Sequence, residues 1–394
     1  MLLKFVEDIK CSLENKQIAG AIFMDLSKAF DCLPHGFLVS KLHAYGLSID
    51  ACKLVGSYLS GRRQRVKLRE NRSEWCFLKE GVPQGSILGP LLFNIFINDM
   101  FYFVEKSVLY NFADDNSLLN VAPSLPVLIS NLEHDSKICI KWYSENGMAA
   151  NPSKFQFMVC STTDIKDVEI SINENISIKS EPFVKALGVY IDSKLTFNEH
   201  VKQSCTKAAR QLNAFIRISR YLNIQAKKHI FRSFIMSNFT YCPLVWHFCG
   251  VTNNSKIEKI QERALKIVYN DYKSDYNVLL TKFGTDTMLQ SRLKTMIMEV
   301  FKSLKGTNPV YIQNIFTNKD QPYDLRNSYL LIQKKTQTVT FGLRTFGYLG
   351  SKMWNDLPAH FKDKDISNVE IEVFRSLLKE WTGPVPDASE NSFL

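Results

Sequence analysis

Three acidic residues in two distant segments constrain this chain more than any other feature. Asp25 directly follows the apolar run Ala19–Met24, which is typical of a buried strand. Asp114 and Asp115 stand where the alternating segment Val108–Phe112 is expected to turn back as a hairpin. A carboxylate at the end of a buried strand costs free energy unless it is paired. A turn can aim two neighbouring side chains at one point, whereas a strand sends them to opposite faces, so we expect the three carboxylates to converge.

A segment rich in glycine and proline, Gly81–Pro90, lies between the two acidic motifs. Nucleotidyl transfer uses two divalent cations, one to activate the attacking hydroxyl and one to stabilise the leaving pyrophosphate. Magnesium prefers hard oxygen ligands, usually a few carboxylates together with substrate phosphates. The pattern therefore suits a two-metal phosphoryl-transfer site. Each motif alone also has an ordinary structural explanation, since Asp25 or Ser27 could cap the following helix and Asp114-Asp115 are common turn residues.

The order and spacing of three motifs resemble the palm of reverse transcriptases, most closely that of non-long-terminal-repeat, jockey-like retrotransposons. The segments are Asp25–Asp31 for motif A, Gly81–Pro90 for motif B and Phe112–Asp115 for motif C. The resemblance implies an α+β fold with a polymerase palm, which is an antiparallel sheet with packed helices. It also implies an RNA-directed DNA polymerase that uses an RNA template, a DNA primer and deoxynucleoside triphosphates, with two Mg²⁺ ions as cofactor.

The same resemblance implies roles for individual residues of motifs A to C. Asp25 and Asp114 match the principal metal ligands, and Asp115 matches the second, less critical acid of motif C. Phe30 matches the position that screens the 2′-carbon of the sugar, where a bulky ring would collide with a ribonucleotide 2′-OH. A plain core aromatic is the alternative for Phe30. Gln84 and Gly85 match positions near the incoming nucleotide and the template, and a small residue such as Gly85 allows close approach of the backbone.

Two further segments match later motifs of the family. Asn151–Lys154 resembles motif D, which implies that Lys154 acts near the pyrophosphate as a general acid or as a charge clamp. A lysine after a turn can also be simply solvated. Leu187–Asp192 resembles motif E, a hairpin that grips the primer end, although an ordinary strand would read the same way.

A run of alternating cations between motifs A and B is a candidate nucleic-acid-binding surface. We expect residues 61–71 to form a strand with its basic residues on one face. Those residues are Arg63, Arg65, Lys67 and Arg69. An edge strand that is kept soluble by its charges is the alternative.

A second basic region follows motif E. Residues 198–236 contain eight Lys/Arg against the single acid Glu199, a net charge of +7, with aromatic residues between them. A helical thumb that grips the backbone of a template–primer would have this composition, and so would a solvated helix face. The candidate contacts are Lys202, Lys207, Arg210 and Arg217.

The element pattern divides the chain of 394 residues. Residues 1–192 mix helices and strands and are expected to form the palm. Residues 193–304 are mostly helical and are expected to form the thumb, including a helix from Ser255, a capping residue, to Tyr269. Residues 305–394 are expected to form a C-terminal extension with a polar tail. Only about 24 residues precede Asp25, so the resemblance implies that most of the fingers is missing and that the chain is truncated.

Composition adds weaker constraints. The formal charge of +10 suits a polyanionic partner, although unrelated basic proteins share it. The nine cysteines are scattered without a C-x-x-C pair, which predicts reduced thiols and an intracellular protein, nuclear or cytoplasmic. Cys242, His247 and Cys249 are close in sequence, but buried structural residues are a simpler interpretation than a metal site. No signal peptide is expected, and the apolar stretch Pro90–Ile97 is too short to span a bilayer, so no membrane partner is expected.

Two rival functions stay open at the level of sequence. The implied loss of the fingers favours a nucleic-acid-binding remnant without turnover, whereas the intact set Asp25, Asp114 and Asp115 favours an enzyme. A third hypothesis is a catalytically active palm from another branch of the polymerases, such as an intron maturase. The sequence does not indicate an oligomeric state.

Overall fold

The computed structural model describes residues 1–165, 167–173, 175–319, 330–362 and 366–383. The chain divides into two units. The first contains Met1 and residues Lys16–Ala186, and the second contains Leu2–Asn15 and Leu187–Leu394.

The helices largely follow the apolar periodicity of the sequence. They are α1 (Leu2–Glu14), α2 (His35–Ala44), α3 (Ile49–Leu59), α4 (Leu88–Ile97), α5 (Leu125–Glu145), α6 (Asn198–Ser219), α7 (Ile224–Ile230), α8 (Ser237–Thr240), α9 (Val251–Tyr269), α10 (Tyr276–Phe283), α11 (Met288–Leu304), α12 (Val310–Gln313), α13 (Phe346–Asn355) and α14 (Ile371–Glu380). Short 3₁₀ segments are Ala29–Asp31, Asn98–Tyr102, Pro152–Lys154, Ala359–Phe361 and Ile366–Asn368, and Phe231–Met236 is a π-helical turn.

The strands are concentrated in the first unit, and several of them are only two residues long. They are β1 (Ile18–Met24), β2 (Leu26–Ser27), β3 (Arg63–Gln64), β4 (Lys67–Leu68), β5 (Asn71–Arg72), β6 (Cys76–Phe77), β7 (Val108–Phe112), β8 (Asp115–Ala122), β9 (Ala149–Ala150), β10 (Gln156–Cys160), β11 (Glu169–Asn173), β12 (Ile176–Lys179), β13 (Phe183–Ala186) and β14 (Val189–Asp192).

A four-stranded antiparallel sheet forms the centre of the first unit, in the order β10–β1–β8–β7. β1 lies between two partners, with Ala21 opposite Met158 of β10 and opposite Leu119 of β8. β7 and β8 form a hairpin that closes with Phe112 opposite Asp115. The expectations of a buried strand before Asp25 and of a hairpin at motif C are confirmed, and so is the antiparallel sheet with packed helices.

Helix α5 covers one face of this sheet at close range. A Cβ on Gly20 of β1 would lie 2.9 Å from methyl carbons of Leu128 and Leu132 on α5, so glycine allows this approach. Trp142 of α5 makes an edge-to-face contact with Phe96 of α4, with 6.3 Å between ring centroids. The core of the first unit thus packs helices α4 and α5 with the strand that leads to Asp25.

The second unit is mainly helical and includes the first helix of the chain. Glu7 of α1 is buried, and its carboxylate accepts hydrogen bonds from the backbone N–H groups of Phe346 (2.7 Å) and Gly347 (2.8 Å), where α13 begins. A carboxylate at a helix N-terminus satisfies N–H groups that have no partner within the helix. Burial raises the pKa of Glu7 despite these hydrogen bonds and the nearby charge of Lys10.

Two local expectations from the sequence are wrong. Residues 61–71 do not form one strand. Gln64 pairs with Cys76 and Lys67 pairs with Arg72, so between these two pairs the second strand of the hairpin has one more residue than the first. Arg69 lies in a turn and has a φ of +57°. Ser255 does not cap a helix, since α9 begins four residues earlier and Ser255 lies within it. Among the residues that the structure describes, no helix has the length and apolar character needed to cross a membrane.

Candidate active site

The register of β1 and β8 brings the two acidic motifs together. Met24 pairs with Asn116, so Asp25 and Asp115 are the next residues along two adjacent antiparallel strands. Ala113 and Asp114 form the two-residue loop between β7 and β8, and Ala113 has a φ of +54°. The tight turn therefore places Asp114 directly beside the strand end that carries Asp115.

The neighbouring carboxylates affect the pKa of Asp115. Burial raises the pKa of Asp115, and the negative charges of Asp114 and Asp25 raise it further. Such a concentration of like charge is unfavourable unless a cation balances it. The arrangement is suited to binding positive charge.

Lys154 is the cation that the structure places at this cluster. Its Nζ lies 3.4 Å from Oδ2 of Asp25, with both side chains well exposed. The backbone supports this contact, because the N–H of Asn151 donates to the carbonyl of Asp25 at 3.1 Å and Leu26 of β2 pairs with Ala150 of β9. The segment that resembles motif D is thus bonded directly to the segment that resembles motif A.

Phe30 lies in the 3₁₀ turn after Asp25 and is partly buried. Its ring stacks on Phe93 of α4, with 4.5 Å between centroids and 24° between planes. The stacking fixes the ring against the core of the first unit. This geometry fits a sugar-screening ring held from behind, and it equally fits a core aromatic.

Gln84 contacts motif A through a residue to which sequence reasoning gave no role. Its amide Nε2 donates to Oδ1 of Asp31 at 2.9 Å. Asp31 is the last residue of motif A, so its place in the motif was the available signal. The bond joins the two segments expected to meet the incoming nucleotide.

Gly81 is the point at which the backbones of these two segments touch. A Cβ on Gly81 would lie 2.6 Å from the carbonyl oxygen of Asp31, and its φ is +80°. The carbonyl of Gly81 accepts from Nη1 of Arg62 at 2.9 Å and lies 2.8 Å from Nε2 of His35. Gly85 has a φ of +82° but no atom within 4 Å of an added Cβ. Arg62 and His35 are further residues that sequence reasoning missed.

The four cations predicted to bind nucleic acid between motifs A and B, Arg63, Arg65, Lys67 and Arg69, all lie on an exposed hairpin. Arg63 and Arg65 place their guanidinium carbons 4.5 and 4.4 Å from the ring centroid of Trp75. Lys67 and Arg69 follow the irregular part of the hairpin and do not share this contact with Trp75. The structure therefore groups two of the four predicted cations around an aromatic ring.

The four cations predicted to bind nucleic acid in the second unit lie on the solvent side of α6. Lys202, Lys207, Arg210 and Arg217 are exposed. Lys202 is already paired with Glu199 at 3.2 Å. Of the aromatic residues in this basic region, Phe215 and Phe231 are buried in the core of the unit, whereas Tyr221 is exposed.

The donor set at the acidic cluster fits magnesium in kind. Asp25, Asp114 and Asp115 supply the carboxylate oxygens that Mg²⁺ prefers. Within the described parts of the chain, however, no group of three or more His, Cys, Asp or Glu side chains is arranged to hold a metal ion. Magnesium sites in proteins often combine one or two carboxylates with substrate phosphates, which supply further oxygen ligands.

Comparisons with known proteins show what this chain is similar to. A family model described as reverse transcriptase (RNA-dependent DNA polymerase) matches residues 2–191. The chain is 25% identical over 276 residues to the probable RNA-directed DNA polymerase from transposon BS of Drosophila melanogaster, covering 67% of this chain and 30% of that protein. It is 28% identical over 266 residues to the RNA-directed DNA polymerase from mobile element jockey of Drosophila funebris, covering 65% of this chain and 29% of that protein.

The chain thus spans about 30% of the length of these curated relatives. Among solved structures, apo telomerase from Candida tropicalis covers 95% of this chain and 56% of its own, with 12% identity and a TM-score of 0.40. The family match includes the helix before Asp25, the sheet with its acidic edge and the segments of Gln84 and Lys154. Residues 2–191 thus match the reverse transcriptase family, and the chain is similar to RNA-directed DNA polymerases of jockey-like, non-long-terminal-repeat retrotransposons.

Proposed function

We propose that this chain carries the catalytic part of an RNA-directed DNA polymerase that extends a DNA primer on an RNA template with deoxynucleoside triphosphates. The adjacency of Asp25, Asp114 and Asp115 at one sheet edge, which follows from the pairing of Met24 with Asn116 and of Phe112 with Asp115, carries this proposal. Residues 1–192 act as the palm, residues 193–304 as the thumb and residues 305–394 as a C-terminal extension.

The reaction joins the primer 3′-oxygen to the α-phosphorus of the nucleotide. The bond between that phosphorus and the pyrophosphate oxygen breaks, and the 3′-hydroxyl loses its proton. Two Mg²⁺ ions, held by Asp25, Asp114 and Asp115 with substrate phosphates, would activate the hydroxyl and stabilise the pyrophosphate. Lys154, whose Nζ lies 3.4 Å from Oδ2 of Asp25, would donate a proton to the leaving pyrophosphate or stabilise its negative charge.

Other residues of the first unit would position the nucleotide. Phe30 is held by Phe93 and would exclude a 2′-OH by collision. Gln84 is oriented by Asp31, and Gly85 leaves open space where a nucleotide can approach the backbone. The cations of α6 and of the hairpin at Arg63 would neutralise phosphates.

Primer extension by the purified chain on an RNA template tests this proposal. We expect extension that requires Mg²⁺ and is lost in Asp114→Asn, because a neutral amide cannot balance bound cations. The matched control is Asp50→Asn, which removes an exposed carboxylate that pairs only with Lys53. Extension that survives Asp114→Asn would remove Asp114 from catalysis, and tight template–primer binding without any extension would favour the rival, non-catalytic function.

A further inference from the structure

The hairpin between motifs A and B presents an aromatic and cationic face. Arg63 of β3 pairs with Phe77 of β6, so these two side chains lie on the same side of the strand pair, and Arg65 and Trp75 follow where the regular pairing ends. The contacts of both guanidinium groups with the ring of Trp75, at 4.4–4.5 Å, confirm that these side chains lie together. We call Arg63, Arg65, Trp75 and Phe77 the hairpin face.

The hairpin face is exposed despite its aromatic content. Trp75 is 44% exposed and Phe77 is 65% exposed. Residues 62–79 carry seven Lys/Arg and two Glu, a net charge of +5. Exposed aromatic rings do not stabilise the fold as buried rings do, and a dense positive charge opposes close packing of this segment. The combination instead complements a polyanion that has free aromatic surfaces.

Unpaired nucleic acid has both of these properties. Base–aromatic stacking and backbone neutralisation by cations are the two sources of single-strand binding, and a duplex hides the faces of its bases. Arginine on a Trp ring keeps its N–H groups free to bind phosphate at the ring's edge. In this face, Trp75 positions two guanidinium groups, and Phe77 offers the more open ring.

We propose that the hairpin face binds unpaired nucleotides of a single-stranded template, with a base stacked on Phe77 and phosphates bound by Arg63 and Arg65. This assignment rests on the proposed polymerase function for the identity of the strand as template. Trp75 acts as a positioning residue that holds both guanidinium groups.

The base of the hairpin joins the candidate active site through short contacts. Arg62, at the foot of β3, donates to the carbonyl of Gly81 at 2.9 Å. Gly81 lies three residues before Gln84, whose amide is bonded to Asp31 of motif A. The hairpin that carries this face is therefore bonded to the segment that is expected to meet the templating base.

Binding of labelled oligonucleotides to the full chain, measured by fluorescence anisotropy without Mg²⁺ or nucleotides, tests the proposal. The probes are a ten-nucleotide oligo(U) RNA, the equivalent oligo(dT), and a blunt duplex with the same number of phosphates. Phe77→Ala should weaken single-strand binding about 5- to 150-fold and leave duplex binding nearly unchanged. Leu68→Ala, which removes a 72% exposed apolar residue outside the face, is the matched control and should change neither.

Intrinsic fluorescence gives a second readout that a merely structural role would not move. Trp142, Trp246 and Trp354 are buried, and Trp381 is partly buried against the core of the second unit, so stacking near the hairpin should quench chiefly Trp75. Trp75→Phe should remove this quenching, and Arg63→Gln or Arg65→Gln should each lower the log–log salt slope by about 0.7.

Several results would overturn the proposal. These are an equal loss of single-strand and duplex affinity in Phe77→Ala, or oligonucleotide binding that leaves Trp75 fluorescence unchanged. Equal binding of RNA and DNA would assign the face to any single strand, which still supports stacking. If primer extension fails but Phe77→Ala still weakens single-strand binding selectively, only the proposed polymerase function is wrong. If extension is normal but Phe77→Ala does not weaken single-strand binding selectively, only the assignment of the hairpin face is wrong.

Discussion

Replacing Gly81 by alanine is the sharpest test of how motifs A and B are held together. The φ of Gly81 is +80°, and an added Cβ would lie 2.6 Å from the carbonyl oxygen of Asp31 and 2.8 Å from its Cα. The left-handed backbone alone costs a residue with a Cβ about 1–2 kcal/mol. Because the obstructing atoms belong to backbone, the Asp31 segment must move, which adds about 1–3 kcal/mol as overpacking does. We expect Gly81→Ala to lower the free energy of unfolding by about 2–5 kcal/mol.

Two other glycines separate these two contributions. Gly85 shares the conformation, with φ +82°, but nothing lies within 4 Å of its added Cβ, so Gly85→Ala should cost only about 1–2 kcal/mol. Gly36 in α2 has open space and no left-handed φ, so Gly36→Ala should stabilise the protein by about 0.4–1 kcal/mol. The difference between Gly81→Ala and Gly85→Ala isolates the contact with Asp31.

Thermal unfolding and hydrogen exchange together measure the effect. At roughly 2–4 °C per kcal/mol, the melting temperature of Gly81→Ala should lie roughly 2–12 °C below that of Gly85→Ala. The N–H groups of Gly81 and Val82 donate to the carbonyls of Leu33 and Phe30, so their protection from exchange reports whether the two motifs stay joined. If Gly81→Ala matches Gly85→Ala in both measurements, the contact between the two backbones is not what holds motif B in place.

Further expectations follow from the charges. Burial and the charges of Asp114 and Asp25 raise the pKa of Asp115 in the folded state. The folded state therefore binds this proton more tightly than the unfolded state does, and the stability that the proton contributes is lost as pH rises through the folded pKa. Asp115→Asn should therefore raise the melting temperature at pH 7 and change it little at pH 4. Lys154→Met should slow single-turnover nucleotide incorporation, whereas Lys154→Arg, which can keep the ion pair with Asp25, should retain most of it; equal rates for both variants would remove Lys154 from the reaction. Arg210→Gln and Arg217→Gln should each lower the log–log salt slope of template–primer binding by about 0.7–0.9, and an unchanged slope would make α6 a solvated face.

The part of the site that sequence could predict is the part set by short-range patterns. The continuous apolar run before Asp25 and the alternation before Asp114 each specify a strand with a defined end. Pairing of adjacent antiparallel strands then places Asp25 and Asp115 side by side, as Met24 and Asn116 show one residue earlier. Local period and local turn chemistry predict the two strands and their ends, whereas the pairing of β1 with β8 is a long-range contact that the family resemblance implied.

The hairpin at Arg63 shows where such patterns fail. Its residues alternate as a strand would, yet one extra residue on the returning chain and a turn at Arg69 divide it into two short pairs. A bulge depends on how the two strands of a hairpin pair, so the sequence of one strand does not reveal it. The placing of aromatic residues between cations likewise did not separate Phe215, which is buried, from Tyr221, which is 74% exposed.

Long-range partners are the other class of feature that sequence could not reveal. No role was predicted for Glu7, yet Glu7 is buried and bonded to Phe346 and Gly347, more than 330 residues away. Lys10 is also buried, donates to the carbonyl of Arg344 at 2.6 Å and lies 4.2 Å from the ring centroid of Phe248. Burial lowers the pKa of Lys10 to about 8, which only the completed tertiary structure can do. Because charged residues are seldom fully buried without partners, these two side chains mark α1 as an integral part of the second unit.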